Sequence, residues 1–142
     1  MNILISACLL GVRCRYDGGG KAIGHLNELM QKHTLIPVCP EVFGGLPTPR
    51  EPSEIRGGRV LSRSGRDVTE NFRRGADEAL GLARLYHCEC ALLKERSPSC
   101  GYGRIYDGSF TGGLCKGEGV CAALLAQNGV VVLGESRVAE LL

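Results

Sequence analysis

The chain has 142 residues, the size of one domain, and its 17 basic and 15 acidic residues leave a net charge of +2. That balance excludes a uniformly polycationic nucleic-acid binder, though not a local basic patch. A hydrophobic share of 44% excludes wholesale disorder, and no apolar run approaches the roughly 18 residues of a membrane helix.

Asn2–Ser6 is a short apolar run and predicts a buried strand. A turn-rich stretch through Asp17-Gly18-Gly19-Gly20 follows. Ala22, Leu26, Leu29, Met30 and His33 recur at helical spacing and predict an amphipathic helix over 21–33. Residues 35–38 read as the second strand, whose Pro37 marks an edge or a strand end. Residues 39–67, rich in proline and glycine, read as one long loop, a length that is often functional. Val68, Phe72, Ala76, Ala79, Ala83 and Tyr86 mark a long helix with Asp67 as its N-cap. A third strand spans 89–93, and a second glycine-rich loop spans 94–116. A helix over 117–127 ends at Asn128-Gly129. A fourth strand at 130–133 and a short helix at 135–142 complete the chain. The order β-α-β-α-β-α-β-α predicts an α/β fold: a single Rossmann-like domain over 1–142, with a parallel sheet of about four strands flanked by helices.

Eight cysteines need a compartment before they can be read. Ile5-Ser6-Ala7-Cys8 looks like a lipoprotein cleavage site, but no basic residue precedes it and the apolar stretch is far too short. The expectation is therefore a cytoplasmic protein whose thiols stay reduced, where clustered cysteines bind metals or catalyse. In an open parallel sheet, ligands bind beyond the carboxyl ends of the strands. Cys8 follows the first strand and Cys39 the second. Cys100 lies in the loop after the third, within Ser97-Pro98-Ser99-Cys100-Gly101. Three loops thus bring thiols to one edge. Cys88 and Cys90 fall at the opposite edge, and Cys121 on the apolar side of a helix. All three are expected to be small buried hydrophobes. Cys14 and Cys115 lie in loops at the ligand edge, where a fourth ligand or a nearby redox thiol is the minor reading. Three thiolates with no histidine nearby in sequence suit a zinc site or an iron–sulfur cluster, and the residues alone do not choose.

Ser6-Ala7-Cys8-Leu9-Leu10-Gly11, Arg15-Tyr16-Asp17-Gly18, Cys39-Pro40-Glu41, Gly44-Gly45-Leu46-Pro47-Thr48-Pro49-Arg50 and Ser97-Pro98-Ser99-Cys100-Gly101 together resemble the DUF523 family, which includes the bacterial thiouracil desulfurases. The resemblance runs over nearly the whole chain. It implies a [4Fe-4S] cluster on Cys8, Cys39 and Cys100, the same three residues that the strand-end rule selects. It also implies non-redox removal of sulfur from thiolated pyrimidines such as 2-thiouracil or 4-thiouridine compounds. In that chemistry an iron without a protein ligand binds the thiocarbonyl sulfur and water attacks the carbon. Glu41 serves as general base, and Ser97 orients substrate or relays a proton. The implied partner is a small thiolated base, nucleoside or nucleotide. Some family members carry a further C-terminal domain associated with thiolated tRNA. This sequence stops at Leu142, which favours the small molecule over tRNA. The alternatives are a metal- or persulfide-binding module without turnover, or a structural zinc domain.

Plainer roles stand beside these. Glu41 could pair with an arginine of its loop, Ser97 could shape the turn before Pro98, and Arg15 is expected to pair with Asp17. Seven arginines and four acids between Arg50 and Arg74 read as a solvated face, with a site for a nucleotide phosphate or for RNA as the lesser alternative. Gly112-Gly113 and Gly117-x-Gly119 ahead of a helix are a weak signal for an anion cradle.

Overall fold

The computed structural model describes residues 1–142. Strand β1 (Asn2–Ser6) leads through a 3-10 turn (Ala7–Leu10) and a long loop into α1 (Leu26–Lys32) and β2 (Thr34–Val38). Then come α2 (Pro40–Phe43), β3 (Ser53–Arg56), β4 (Arg59–Ser62) and the long α3 (Thr69–Leu85). The chain continues with β5 (Cys90–Leu93), β6 (Tyr102–Tyr106), β7 (Leu114–Glu118), α4 (Val120–Gln127) and β8 (Val131–Gly134), and ends in 3-10 turns over Glu135–Leu141.

Four strands form the central sheet in the order β2-β1-β5-β8, every pair parallel. The expected α/β architecture is therefore present, and the Pro37 strand lies at the edge, as its missing N–H requires. Side chains alternate across the sheet. Leu4, Ala91, Leu93 and Val132 pack against Ala76, Ala79, Leu80 and Ala83 of α3 and against Ala122 and Leu125 of α4. Ile3, Ile5, Leu92 and Leu133 pack on the other face with Leu29 of α1 and Leu9. Both faces are covered, as a parallel sheet requires.

The two long segments read as loops are not structureless. Residues 39–67 contain α2 and the antiparallel hairpin β3–β4, and 94–116 contain most of a second hairpin, β6–β7. These strands are short and glycine-bounded, so no clear alternation marked them. Glu54 of β3 is buried and accepts the N–H groups of Gly108 at 2.9 Å and Phe110 at 3.1 Å. Arg56 donates to the Gly108 carbonyl at 3.1 Å, so the first hairpin clamps the tip of the second.

Helix boundaries shift for local reasons. The helix expected over 21–33 begins only at Leu26 because His25 takes a left-handed conformation with φ 63°. Before it, Lys21 and Ile23 donate to Cys8 and Leu9 carbonyls, which keeps that stretch extended along the first turn. The helix expected from 117 begins at Val120, since 117–118 belong to β7. The last segment is 3-10 rather than α. The N-cap position of α3 is Val68 rather than Asp67. Asp67 still accepts the Thr69 N–H at 2.9 Å, and its hydrogen bonds from Thr69 and Arg59 hold its pKa down at about 2.

Close backbone approach seats α2 on α3. A Cβ at Gly75 would lie 1.7 Å from the Pro40 carbonyl oxygen, and one at Gly44 would lie 2.0 Å from that of Asn71. We predict that Gly75→Ala, which forces these helices apart, lowers unfolding free energy by about 1–3 kcal/mol. The measurement is a urea midpoint. Gly81→Ala, on the same helix with nothing within 4 Å of its new Cβ, should instead raise the midpoint.

Candidate functional site

The chain leaves β1 to one side for β2, then crosses to the other side for β5 and β8. The strand order therefore reverses between β1 and β5, and open α/β sheets bind ligands in the crevice at that reversal. A cleft of about 580 Å³ lies there. Cys8, Cys39, Cys100, Glu41 and Ser97 all line it. The residues singled out from the sequence thus share one cavity.

The three cysteines come from different local structures. Cys8 sits in the 3-10 turn directly after β1 and is buried. Cys39 is the N-cap of α2 at the end of β2 and is half-buried, its thiol 3.8 Å from the Cys14 carbonyl. Cys100 is buried in a tight turn that Ser97 closes twice, its carbonyl accepting the Gly101 N–H at 2.9 Å and its Oγ accepting the Cys100 N–H at 2.7 Å. That turn is docked on α4. Pro98 and Ser99 carbonyls accept the N–H groups of Val120, Cys121 and Ala122. Gly119 permits the contact, since a Cβ there would lie 2.6 Å from the Ser99 oxygen. The helix N-terminus is thereby capped by protein carbonyls, and the anion cradle suggested by Gly117-x-Gly119 is not available there.

Glu41, in the first turn of α2, has both carboxylate oxygens engaged. Arg50 Nε donates to Oε1 at 3.0 Å and Ser99 Oγ donates to Oε2 at 2.8 Å. The Ser99 hydroxyl lies 3.3 Å from Ser97 Oγ and 3.7 Å from the Cys100 sulfur. A line of oxygens, Glu41–Ser99–Ser97, therefore runs along the cleft beside a cysteine. The plain readings of Glu41 and Ser97 are both present as geometry, an ion pair and a turn closure, and neither removes the side chain from the cleft.

Burial pushes the Cys100 thiol up to about 12, against hydrogen bonds from Ser6 and Ser99 that favour the thiolate. It also pushes Cys8 up to about 11, with neighbouring Cys14 and Cys39 adding to the rise and Arg15 and Lys94 opposing it. Cys14 is raised to about 12 by burial and by Cys39. The thiols are close enough to feel one another. Yet no three His, Cys, Asp or Glu side chains converge on one point where a single metal ion would sit. No histidine lines the cleft.

The remaining sequence expectations divide. Cys88, Cys90 and Cys121 are buried and apolar in surroundings, as expected. Cys14 lines the cleft, whereas Cys115 is exposed on β7 and does not. Arg15 and Asp17 do not pair. Asp17 accepts the Gly19 N–H at 2.9 Å, and Arg15 lies over the Tyr16 ring at the cleft. Arg50, counted in a solvated face, is buried with Glu41. Arg59 and Arg73 do form surface ion pairs, with Asp67 and Glu70. Ser99 and Arg50 are the site residues the sequence reading passed over. The only signal for either was its place in the same motifs.

An α/β domain with four thiols, a bonded carboxylate and two serines lining a cleft at the strand-order reversal has the form of a small-molecule or cofactor site. Residues 3–137 match the model of the 2-thiouracil desulfurase family, and the chain belongs to that family. It is 41% identical over 150 residues, covering 99% of both chains, to an uncharacterized protein, YbbK, of Bacillus subtilis (strain 168). It also superposes on a solved structure described as the [4Fe-4S]-dependent thiouracil desulfidase TudS. The TM-score is 0.94 at 50% identity, covering 99% of this chain and 94% of that one.

Exposure and burial set an order of reactivity for the thiols. We predict that metal-free protein treated with iodoacetamide near neutral pH is alkylated first at Cys115, with Cys8 and Cys100 protected. Peptide mass spectrometry over a time course checks this, and the protection should be lost as the pH rises toward about 11 to 12.

Proposed function

We propose that this chain is a [4Fe-4S]-dependent desulfurase that converts thiolated pyrimidines and water into the oxo base and hydrogen sulfide, with no net redox change. The observation that carries the reading is the meeting of Cys8, Cys39 and Cys100 with Glu41 and Ser97 in one cleft, in a chain of this family.

Cys8, Cys39 and Cys100 would hold the cluster. The donor set fits, being three thiols from separate loops, with the Cys14 thiol beside them and no histidine among the lining residues. When bound, the cluster supplies an iron without a protein ligand, which acts as a Lewis acid toward the thiocarbonyl sulfur.

The chain's own groups do the rest. Glu41 accepts a proton from the water that attacks the thiocarbonyl carbon. Its two fixed hydrogen bonds aim the carboxylate and restrict its rotation. Ser99 links that carboxylate to Ser97 and offers a path for returning the proton to the departing sulfur. Ser97, whose Oγ accepts the Cys100 N–H, donates its hydroxyl proton to Ser99 and can turn it to the substrate when one is bound. Burial of the Glu41 and Arg50 side chains strengthens the hydrogen bond between them.

The whole of 1–142 would act as one catalytic domain. The cleft is large enough for a nucleoside as well as a free base, and exposed Arg15, Arg63 and Arg96 stand along its lining to meet a phosphate. The proposed substrate is a thiolated base, nucleoside or nucleotide rather than tRNA. A reducing cytoplasm would suit its free thiols. No helix is long and apolar enough to cross a membrane.

Anaerobic reconstitution tests this directly. The expected product is a brown protein with about four irons and about four labile sulfides. It should release sulfide from 2-thiouracil or a 4-thiouridine compound. A colourless protein with one zinc, or a loaded protein inert toward the whole panel, overturns the reading. Replacing Cys8, Cys39 or Cys100 by Ser should prevent stable loading. Glu41→Ala should keep the cluster absorbance while lowering turnover by roughly 10²–10⁴-fold, the usual contribution of a general base. Loss of the cluster in that variant would instead make Glu41 a structural partner of the metal site.

A further inference from the structure

We infer that Arg50 is a positioning residue for the general base, fixing the Glu41 carboxylate relative to the thiol-bearing loops. This rests on the reading of Glu41 given above. Arg50 comes at the end of the Gly44–Arg50 turn, among arginines that otherwise face solvent, yet its side chain is only 7% exposed and that of Glu41 14%. A buried guanidinium loses most of its hydration and needs its donors satisfied. Four bonds satisfy it. Nε donates to Glu41 Oε1 at 3.0 Å, and one terminal nitrogen donates to the Pro47 carbonyl at 3.1 Å and Thr48 Oγ1 at 3.0 Å. The other terminal nitrogen donates to the Cys14 carbonyl at 2.9 Å.

Those partners belong to three segments. Pro47 and Thr48 belong to the turn that carries Arg50 itself. Cys14 belongs to the loop that follows Cys8. Glu41 lies two residues beyond Cys39. The Cys39 thiol also reaches the Cys14 carbonyl, so that carbonyl receives Arg50 from one side and the thiol from another. The planar fork is what allows one side chain to hold three directions at once, and a lysine ammonium provides the charge without that geometry.

The carboxylate is consequently held at both ends, by Arg50 on Oε1 and by Ser99 on Oε2. Removing Arg50 leaves Ser99 as a single pivot, about which Glu41 can rotate. A base must lie within hydrogen-bond reach of its water, and a misplacement of about 1 Å can cost on the order of 10²-fold in rate. The effect falls on kcat more than on KM, because the carboxylate acts on the water rather than on substrate binding.

The experiment compares Arg50→Lys and Arg50→Gln, reconstituted without oxygen, for iron content, thermal midpoint, kcat and KM with 2-thiouracil. The expected result is unchanged iron content, KM within about 2-fold of the parent, and kcat lowered roughly 10–100-fold in the Gln variant. The Lys variant should be intermediate in kcat while matching the Gln variant in thermal midpoint, which separates positioning from simple destabilisation. Combining Arg50→Gln with Glu41→Asp supplies a second readout. If Arg50 acts through Glu41, the double variant is much less impaired than the product of the two single effects. Additive effects, a kcat that merely follows the thermal midpoint, or loss of iron would overturn the inference while leaving the desulfurase reading intact. Full turnover by a Glu41→Ala enzyme would overturn both the base assignment and this inference, without touching the cluster assignment.

Discussion

The position of the site follows from a reversal in strand order. Once β1 is central, with β2 on one side and β5 on the other, the connections after β1 and β5 diverge and leave a crevice between them. The cleft residues singled out from the sequence are all hung on the carboxyl ends of these strands. Cys8 arrives from β1, Cys39 and Glu41 from β2, and Ser97, Ser99 and Cys100 from beyond β5. The sheet core beneath is dry and tightly packed, with Ile3, Leu4, Ile5, Leu92 and Leu93 fully buried. Such a floor holds the loop bases in fixed relative positions even though the loops themselves share little sequence proximity.

A second layer of order is polar. Ser6 at the end of β1 accepts the Lys94 N–H at 2.9 Å, joining the ends of the two central strands. Arg50 joins the first loop to α2, and Ser99 joins α2 to the Cys100 turn. No buried side-chain nitrogen or oxygen lacks a partner, so this network is complete within the chain. Completeness matters because a half-satisfied polar group in such surroundings would favour rearrangement. The buried ion pair is better understood as a device for orientation than as a source of stability, since desolvation offsets much of its attraction.

That Cys8, Cys39 and Cys100 share one edge was legible from sequence because it needs only alternating strands and helices, which put the carboxyl ends of parallel strands on one side. The apolar runs of β1, β2 and β5 and the helical period of α3 were strong enough to show that alternation. Ser97 and Glu41 were reached through family motifs rather than through physics, since a lone serine or glutamate carries no periodic signal. Ser99 was missed because its orientation depends on the turn that Ser97 closes, and turn geometry is invisible until Gly101 and Gly119 are placed. Arg50 was hidden among seven arginines whose pattern alone suggests solvent. The β3–β4 and β6–β7 hairpins were masked by the glycine and proline that bound them. The anion-cradle reading failed at Gly119 because carbonyls distant in sequence, from Pro98 and Ser99, occupy the helix end.

The capping of α4 by the Pro98 and Ser99 carbonyls has a mechanical consequence. A loop whose polar backbone is committed to a helix end behaves as part of that helix, and α4 is in turn wedged against α3 and the sheet. The Cys100 segment is therefore a fixed jig rather than a swinging arm. Whatever enters the crevice must turn to suit a rigid seat, so discrimination among incoming molecules falls to their own shape and not to any closing movement of this wall.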